Sequence, residues 1–260
     1  MPRKLGQHFL VRDSILERLA TAACGEHTQR VIEIGPGRGA LTRHLLPRTA
    51  ELHAIELDAR LVQHLHRKFS EEPKLTVHEA SVLDIDLTQW GPAVIAGNLP
   101  YYITSPIIER FAKLDARFPT GVFLMQWEVA ERLMAEPGNR SYGYLTVATG
   151  LACDVELICK VPPAAFAPPP KVDSGAVLLR RKPGALLARS EGLLRFVGRC
   201  FTQKRKTLRN NLRAAYGERV DSLPEAGLRA EQLSLTQFVD LYQRLAGEGH
   251  SETSLYTEGS

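Results

Sequence analysis

The sequence predicts an α/β protein: a parallel sheet with helices on both faces, followed by a small all-helical C-terminal domain. Three observations carry this. Short apolar strands alternate with helical segments through the first half of the chain. The first clear strand runs straight into a glycine-rich turn that opens a helix. Beyond about residue 182 the extended runs give way to helical periodicity with strong positive charge.

Taken in order, Val31-Ile-Glu-Ile34 reads as a strand, Gly35-Pro-Gly-Arg-Gly39 as a turn, and Ala40, Leu41, His44 and Leu45 recur at helical spacing. A second unit repeats the scheme, with Glu51–Glu56 as strand and Ala59–Phe69 as a helix carrying Leu61, Leu65 and Phe69 on one face. Leu75–His78, Ala93–Ala96 and Gly121–Met125 are further strands, the last preceding a helical Glu128–Glu136. Leu151–Val161 and Ser174–Arg181 read as extended runs on either side of Pro162-Pro-Ala-Ala-Phe-Ala-Pro-Pro-Pro170. So many prolines exclude a helix interior and predict a rigid projecting loop. Lys182-Pro-Gly184 marks a break, Leu187 to Ala246 carries helical periodicity, and residues 251–260 read as a flexible tail. The expected division is therefore 1–182, 183–250 and the tail.

Composition bounds the function classes. The 260 residues are 24% charged and 44% hydrophobic, close to the average of globular chains, and long enough to bury a core without staples. No apolar run approaches the ~20 residues that cross a bilayer, and the opening MPRKLGQHFL has no signal-peptide core, so a cytoplasmic protein without membrane association is expected. Cys24, Cys153, Cys159 and Cys200 form no CxxC pair and have no histidine at ligand spacing, which predicts buried free thiols and no metal. Residues 160–219 hold 14 Lys/Arg against 3 Asp/Glu, a local charge of +11 that leaves −7 for the rest. Such asymmetry points to a polyanionic partner.

Several residues could carry chemistry. The Gly35–Gly39 turn lets backbone approach a ligand and aims amide N–H groups at it, and Gly35, Gly37 and Ala40 also fit the GxGxxA of a dinucleotide fold. Glu56 ends the next strand at a distance from the turn suited to gripping ribose hydroxyls in Rossmann-type sites. Asp84 follows the third strand on the same edge, where an adenine amine could meet it. These leave a nicotinamide-dependent dehydrogenase open. Asn98-Leu-Pro-Tyr101 adds a clamp for an exocyclic amine: an amide oxygen and a neighbouring carbonyl accept its hydrogens, Pro100 fixes the turn, and Tyr101 offers a stacking face. Gln203 to Arg213 places Lys206, Arg209 and Arg213 on one side of a helix, a stripe suited to phosphates.

Eight collinear stretches resemble the adenine-N6 dimethyltransferases of ribosomal RNA, most closely their bacterial small-subunit branch. They are Gly6-Gln-His-Phe-Leu10, Glu33–Gly39, Glu56, Asp84, Asn98-Leu-Pro-Tyr-Tyr-Ile-Thr104, Gln126-Trp-Glu128, Val161–Ser174 and Arg205–Leu212. The resemblance implies a Rossmann-like class I methyltransferase sheet and S-adenosyl-L-methionine as methyl donor. His8, Leu10, Gly35, Gly37, Glu56, Asp84 and Asn98 would bind that donor. Asn98, Leu99, Pro100 and Tyr101 would hold the target amine, with Tyr101 and Phe166 sandwiching the base. Lys204, Arg205, Lys206, Arg209 and Arg213 would contact the RNA. The implied reaction methylates two adjacent adenines twice each in the 3′-terminal hairpin of small-subunit (16S) ribosomal RNA, within an assembling subunit, by a monomer needing no metal. A large-subunit methylase, or a nucleic-acid-binding factor that keeps the fold without turnover, are the competing implications. One position departs from the family pattern: His8 stands where the family has Asn, which predicts donor binding that survives but acquires pH dependence.

Overall fold

The computed structural model describes residues 8–184 and 190–246. Gly6, Gln7, residues 185–189 around the expected domain break, and the tail 251–260 lie outside the described residues. The chain begins with a short strand β1 (Phe9–Leu10) and helix α1 (Asp13–Cys24), then alternates β2 (Thr28–Ile34), α2 (Thr42–Leu45), β3 (Thr49–Glu56), α3 (Ala59–Lys68), β4 (Leu75–Glu79), β5 (Val94–Asn98), α4 (Thr104–Lys113) and β6 (Thr120–Gln126). Helices α5 (Trp127–Leu133) and α6 (Tyr144–Ala152) follow, then β7 (Cys153–Val161), the two-residue β8 (Phe166–Ala167) and β9 (Ser174–Arg181). Helices α7 (Glu191–Cys200), α8 (Leu208–Tyr216) and α9 (Leu235–Ala246) complete it, joined by short 3₁₀ turns.

The main sheet has seven strands in the order β4-β3-β2-β5-β6-β9-β7. The first five are mutually parallel, β9 runs antiparallel to β6, and β7 antiparallel to β9. The extended runs after residue 150 therefore finish the same sheet. Consecutive strand residues point to opposite faces, and here both faces are covered: Val31, Leu52 and Val94 pack beneath α1 and α2, while Ile32, Ile55 and Ile95 pack against α4 and α6. That explains why the central strands β5 and β6 read as apolar runs with no alternation, whereas the edge strand β4 alternates. Chain order reverses between β2 and β5, and such a switch point opens a crevice beyond the carboxyl ends of the strands.

Some expectations are corrected. On α3 the buried positions are Val62 and Leu65, with Leu61 only half-buried. The proline-rich segment does not project: β8 pairs with β1, Val11 N–H donates to the Ala165 carbonyl at 2.8 Å, and Ala165 and Phe166 are buried. Strand β1 supplies the backbone partners that the prolines cannot supply to each other. Cys24, Cys153 and Cys200 are buried free thiols, pushed above the ordinary thiol range by that burial, whereas Cys159 is only half-buried. A third apolar cluster gathers Phe196, Val197, Leu212, Phe238 and Leu241 from α7, α8 and α9, and it includes Tyr142 and Val147 from the region of α6. The C-terminal helices thus share their core with the sheet-bearing part. Among the described residues no helix is long and apolar enough to cross a membrane.

Candidate active site

A cavity of about 300 Å³ opens at the switch point, lined from β1, the turn after β2, the ends of β3 and β4, and the turn after β5. The glycines let these segments converge. Gly35 (φ +65°), Gly37 (φ +58°) and Gly39 (φ +75°) hold left-handed backbone, and a Cβ on Gly37 would lie 2.9 Å from the Phe9 ring. A Cβ on Gly35 would lie 3.4 Å from the Asn98 carbonyl, so the two strand ends meet there.

Glu56 ends β3 and is 6% exposed. Its carboxylate accepts N–H bonds from Gly37 (3.1 Å), Leu57 (2.9 Å) and Asp58 (3.0 Å), which ties the glycine turn to β3. A carboxylate has about four acceptor sites, so three bonds leave capacity for a hydroxyl donor. Burial nevertheless holds its carboxyl above the usual range, with those N–H bonds opposing the shift. Glu33, also lining the cavity, is only 1% exposed and accepts from Thr42 Oγ1 at 2.7 Å. Burial pushes its carboxyl up to about 8, the Thr42 hydroxyl opposes this, and the neighbouring Glu56 charge adds to it. At neutral pH one cavity acid is therefore protonated. Among the described residues no group of three or more His, Cys, Asp or Glu is placed to hold a metal ion.

On the opposite wall, Asn98 Nδ2 donates to the His8 carbonyl at 3.1 Å. This bond fixes the amide's orientation and leaves Oδ1 as an acceptor. The Pro100 carbonyl is engaged by Ile103 N–H (3.1 Å) and Thr104 Oγ1 (3.1 Å), which rigidifies the following turn. Tyr101, half-buried, pairs its hydroxyl with Ser174 Oγ at 2.9 Å, and burial raises its phenol. One side of its ring faces the His8 imidazole, with centroids 5.8 Å apart and planes at 28°. His8 Nδ1 is 2.9 Å from the Pro168 carbonyl. A carbonyl only accepts, so Nδ1 carries the hydrogen, and Nε2 is the ring atom left for a ligand.

The cavity brings together His8, Leu10, Gly35, Gly37, Glu56, Asn98, Leu99, Pro100 and Tyr101. Two expected members are absent from its lining. Asp84 is exposed, because the turn after β4 folds on Ser81, whose carbonyl accepts from Asp84 and Ile85 N–H, while the Arg110 guanidinium binds the Leu83 and Ile85 carbonyls. Ser81 and Val82 line the cavity instead. Phe166 is 4% exposed and packs in the core with Leu10, its strand partner, so it presents no free face opposite Tyr101. Sequence reasoning also missed Glu33 and Tyr102 as lining residues; an acid inside the apolar run Val31–Ile34 was the available signal for the first.

Lys206 precedes α8 in a turn, so only Arg209 and Arg213 share a helix face, and both pair with Asp221, at 2.9 and 3.6 Å. Lys204 and Arg205 are exposed in the same turn region. Lys204 donates to the Arg140 carbonyl and lines a second cleft, of about 630 Å³, with Ser105, Arg132 and Arg140.

The family model described as ribosomal RNA adenine dimethylase matches residues 1–247. A protein of Chromobacterium violaceum named ribosomal RNA small subunit methyltransferase A is 40% identical over 256 residues, covering 96% of this chain and 97% of that one. A protein of the same name from Synechococcus elongatus is 38% identical over 261 residues, covering 92% and 93%. Among solved structures, a dimethyladenosine transferase from Plasmodium falciparum superposes with a TM-score of 0.83 at 27% identity, covering 93% of this chain and 98% of that one. The 23S rRNA methyltransferase ErmE gives 0.71 at 29%, covering 92% and 99%. Whole-length sequence similarity and a cavity at the switch point of a class I methyltransferase sheet agree: the chain belongs to the ribosomal RNA adenine dimethylase family, enzymes of S-adenosylmethionine-dependent methyl transfer.

Proposed function

We propose that this enzyme dimethylates N6 of two adjacent adenines in the 3′-terminal hairpin of small-subunit (16S) ribosomal RNA, during small-subunit assembly, as a cytoplasmic monomer. The observation that carries the reading is the oriented Asn98 amide, with Nδ2 held by the His8 carbonyl and Oδ1 left to accept. The residues fit S-adenosyl-L-methionine: the Glu56 carboxylate retains an acceptor site for ribose hydroxyls, the Gly35 and Gly37 backbone passes close, and His8 and Leu10 line the end beside Asn98. Ser81 takes the place at the adenine end that Asp84 was expected to fill. Bound there, the donor supplies a sulfonium methyl carbon open to in-line attack.

The chain's own residues prepare the nucleophile. Asn98 Oδ1 and the Leu99 carbonyl accept the two hydrogens of the adenine amine, since the Pro100 carbonyl is already engaged. Holding both hydrogens draws the nitrogen toward a pyramidal geometry with a localised lone pair. Tyr101, backed by His8, stacks the base and repays part of its unstacking cost, on the order of 1–3 kcal/mol. Positioning supplies most of the rate, and the amine proton leaves to solvent. We assign residues 1–182 to donor and base binding and 183–250 to RNA contact, through Lys204, Arg205, Lys206, Arg209 and Arg213. Phe166, buried in the core beside Leu10 and absent from the cavity lining, is assigned no stacking role.

The test is labelled-methyl transfer from S-adenosylmethionine to small ribosomal subunits lacking these methyl groups, with nucleoside analysis of the product. Dimethyladenosine is expected from wild type, and a rate about 10²–10³-fold lower from Asn98→Ala, the usual scale for losing one preorganised polar contact at a reacting centre. Tight binding of the particle without transfer would refute the enzymatic reading in favour of an assembly factor.

A further inference from the structure

Tyr102 is the barest large apolar side chain among the described residues, 60% exposed, although it lines the same cavity as Asn98 and Tyr101. It does not sit on a loose loop. The Pro100 carbonyl receives Ile103 N–H and the hydroxyl of Thr104, which is itself 2% exposed, so the ring is carried by a fixed turn. Its hydroxyl has no hydrogen-bond partner among the described residues, so what it offers is a ring face.

Tyr101 is committed elsewhere, with its hydroxyl on Ser174 and one side of its ring against His8, which leaves room for one base. Tyr101–Ile103 is a 3₁₀ turn, in which successive side chains diverge by roughly 120°. The two tyrosine rings therefore cannot be parallel walls around a single base; they offer separate platforms. The chain continues from Tyr102 into α4, whose Ser105 lines the second cleft together with Arg140 and Lys204. That cleft also carries Glu109 and Glu128, so its charge is mixed, and the exposed ring of Tyr102 is what the subsite rests on.

We infer that Tyr102 is a second base subsite, a stacking platform for the unpaired nucleotide that adjoins the target adenine. This rests on the proposed function: the ligand is a single-stranded nucleotide covalently linked to the one held at Asn98. Stacking reads the flat face of a base and tolerates any sequence, so the subsite contributes affinity and register rather than base identity.

The experiment uses the full chain and methyl-free small subunits, comparing wild type, Tyr102→Ala and Tyr102→Phe for kcat and KM toward the particle and for donor affinity by calorimetry. Tyr102→Ala is expected to raise KM for the particle about 5- to 140-fold, the scale of one lost base–aromatic stack, with donor affinity intact. Tyr102→Phe should restore KM, because the ring is kept. An unchanged KM in Tyr102→Ala overturns the subsite while the proposed function stands. So does a Tyr102→Phe variant as impaired as Tyr102→Ala, since the hydroxyl would then be what matters. Loss of donor affinity in Tyr102→Ala also overturns it, by making the ring a prop of the cavity wall. Failure of wild type to methylate the particle strikes the proposed function, and the subsite with it.

Discussion

Replacing Glu33 by glutamine should change the pH dependence of stability in a direction the structure dictates. Glu33 is 1% exposed and its carboxyl is pushed from the ordinary 4.5 up to about 8, chiefly by burial. In the unfolded chain it loses its proton as pH passes through 4.5, while in the folded protein it keeps it until about 8. The unfolded state therefore binds fewer protons across that window, and this group's contribution to stability, full below 4.5, is lost as pH rises toward 8. At about 1.36 kcal/mol per pH unit, the loss over two units, from about pH 5.5 to 7.5, is about 2.7 kcal/mol. Glu33→Gln cannot ionise and can still accept from the Thr42 hydroxyl, so it should escape this loss. Urea unfolding of both proteins across that range is the assay, with the stability difference growing in favour of the variant as pH rises. Parallel curves would refute the reasoning, because they would mean that Glu33 ionises alike in both states.

Two further outcomes follow from groups outside the cavity. His53 Nε2–H donates to Glu51 at 2.7 Å, which leaves Nδ1 to accept from His78 Nε2–H at 3.0 Å, and Trp90 stacks on His53 at 4.7 Å. Burial holds both imidazoles below the ordinary 6.5, so their contribution to stability is present above 6.5 and lost as pH falls. The drop in unfolding midpoint between pH 7 and pH 5, followed by tryptophan fluorescence, should shrink in His78→Phe, and an equal drop would count against the pair. On the basic face, Arg209→Ala with Arg213→Ala should weaken RNA binding and flatten its log–log salt dependence by about 1 per lost phosphate contact, leaving donor affinity alone. An unchanged salt slope would mean that Asp221 keeps both guanidiniums from the phosphates.

Elements whose signal is local were legible in the sequence. The run Ser174–Arg181 is β9 to the residue, and the strand–turn–helix at Val31–Leu45 holds because left-handed glycines and an apolar strand are written in adjacent residues. Helix α6 leaves no local signal, because it is buried on nearly all sides from Leu145 to Thr149 and so shows no amphipathic period; only its last two residues, Leu151 and Ala152, fall within the expected extended run. Helix α1, absent from the expected elements, does carry a local signal, since Leu16, Leu19 and Ala23 recur on its buried face.

For the site, the amino-acid sequence alone determined which chemistry is present: the glycine turn, Glu56, the Asn98–Tyr101 clamp and the basic excess near residues 204–213. These are short stretches whose residue types and order suffice. The tertiary structure decided which of them face one another. Asp84 turns outward because Arg110, 26 positions later, binds the carbonyls on either side of it. Phe166 is buried because β1, more than 150 residues away, pairs with its strand. Glu33 becomes a protonated acid only when both faces of the sheet are covered. Each outcome depends on contacts between segments distant in the chain, and a backbone carbonyl or a desolvated carboxyl leaves no mark in the local residue pattern.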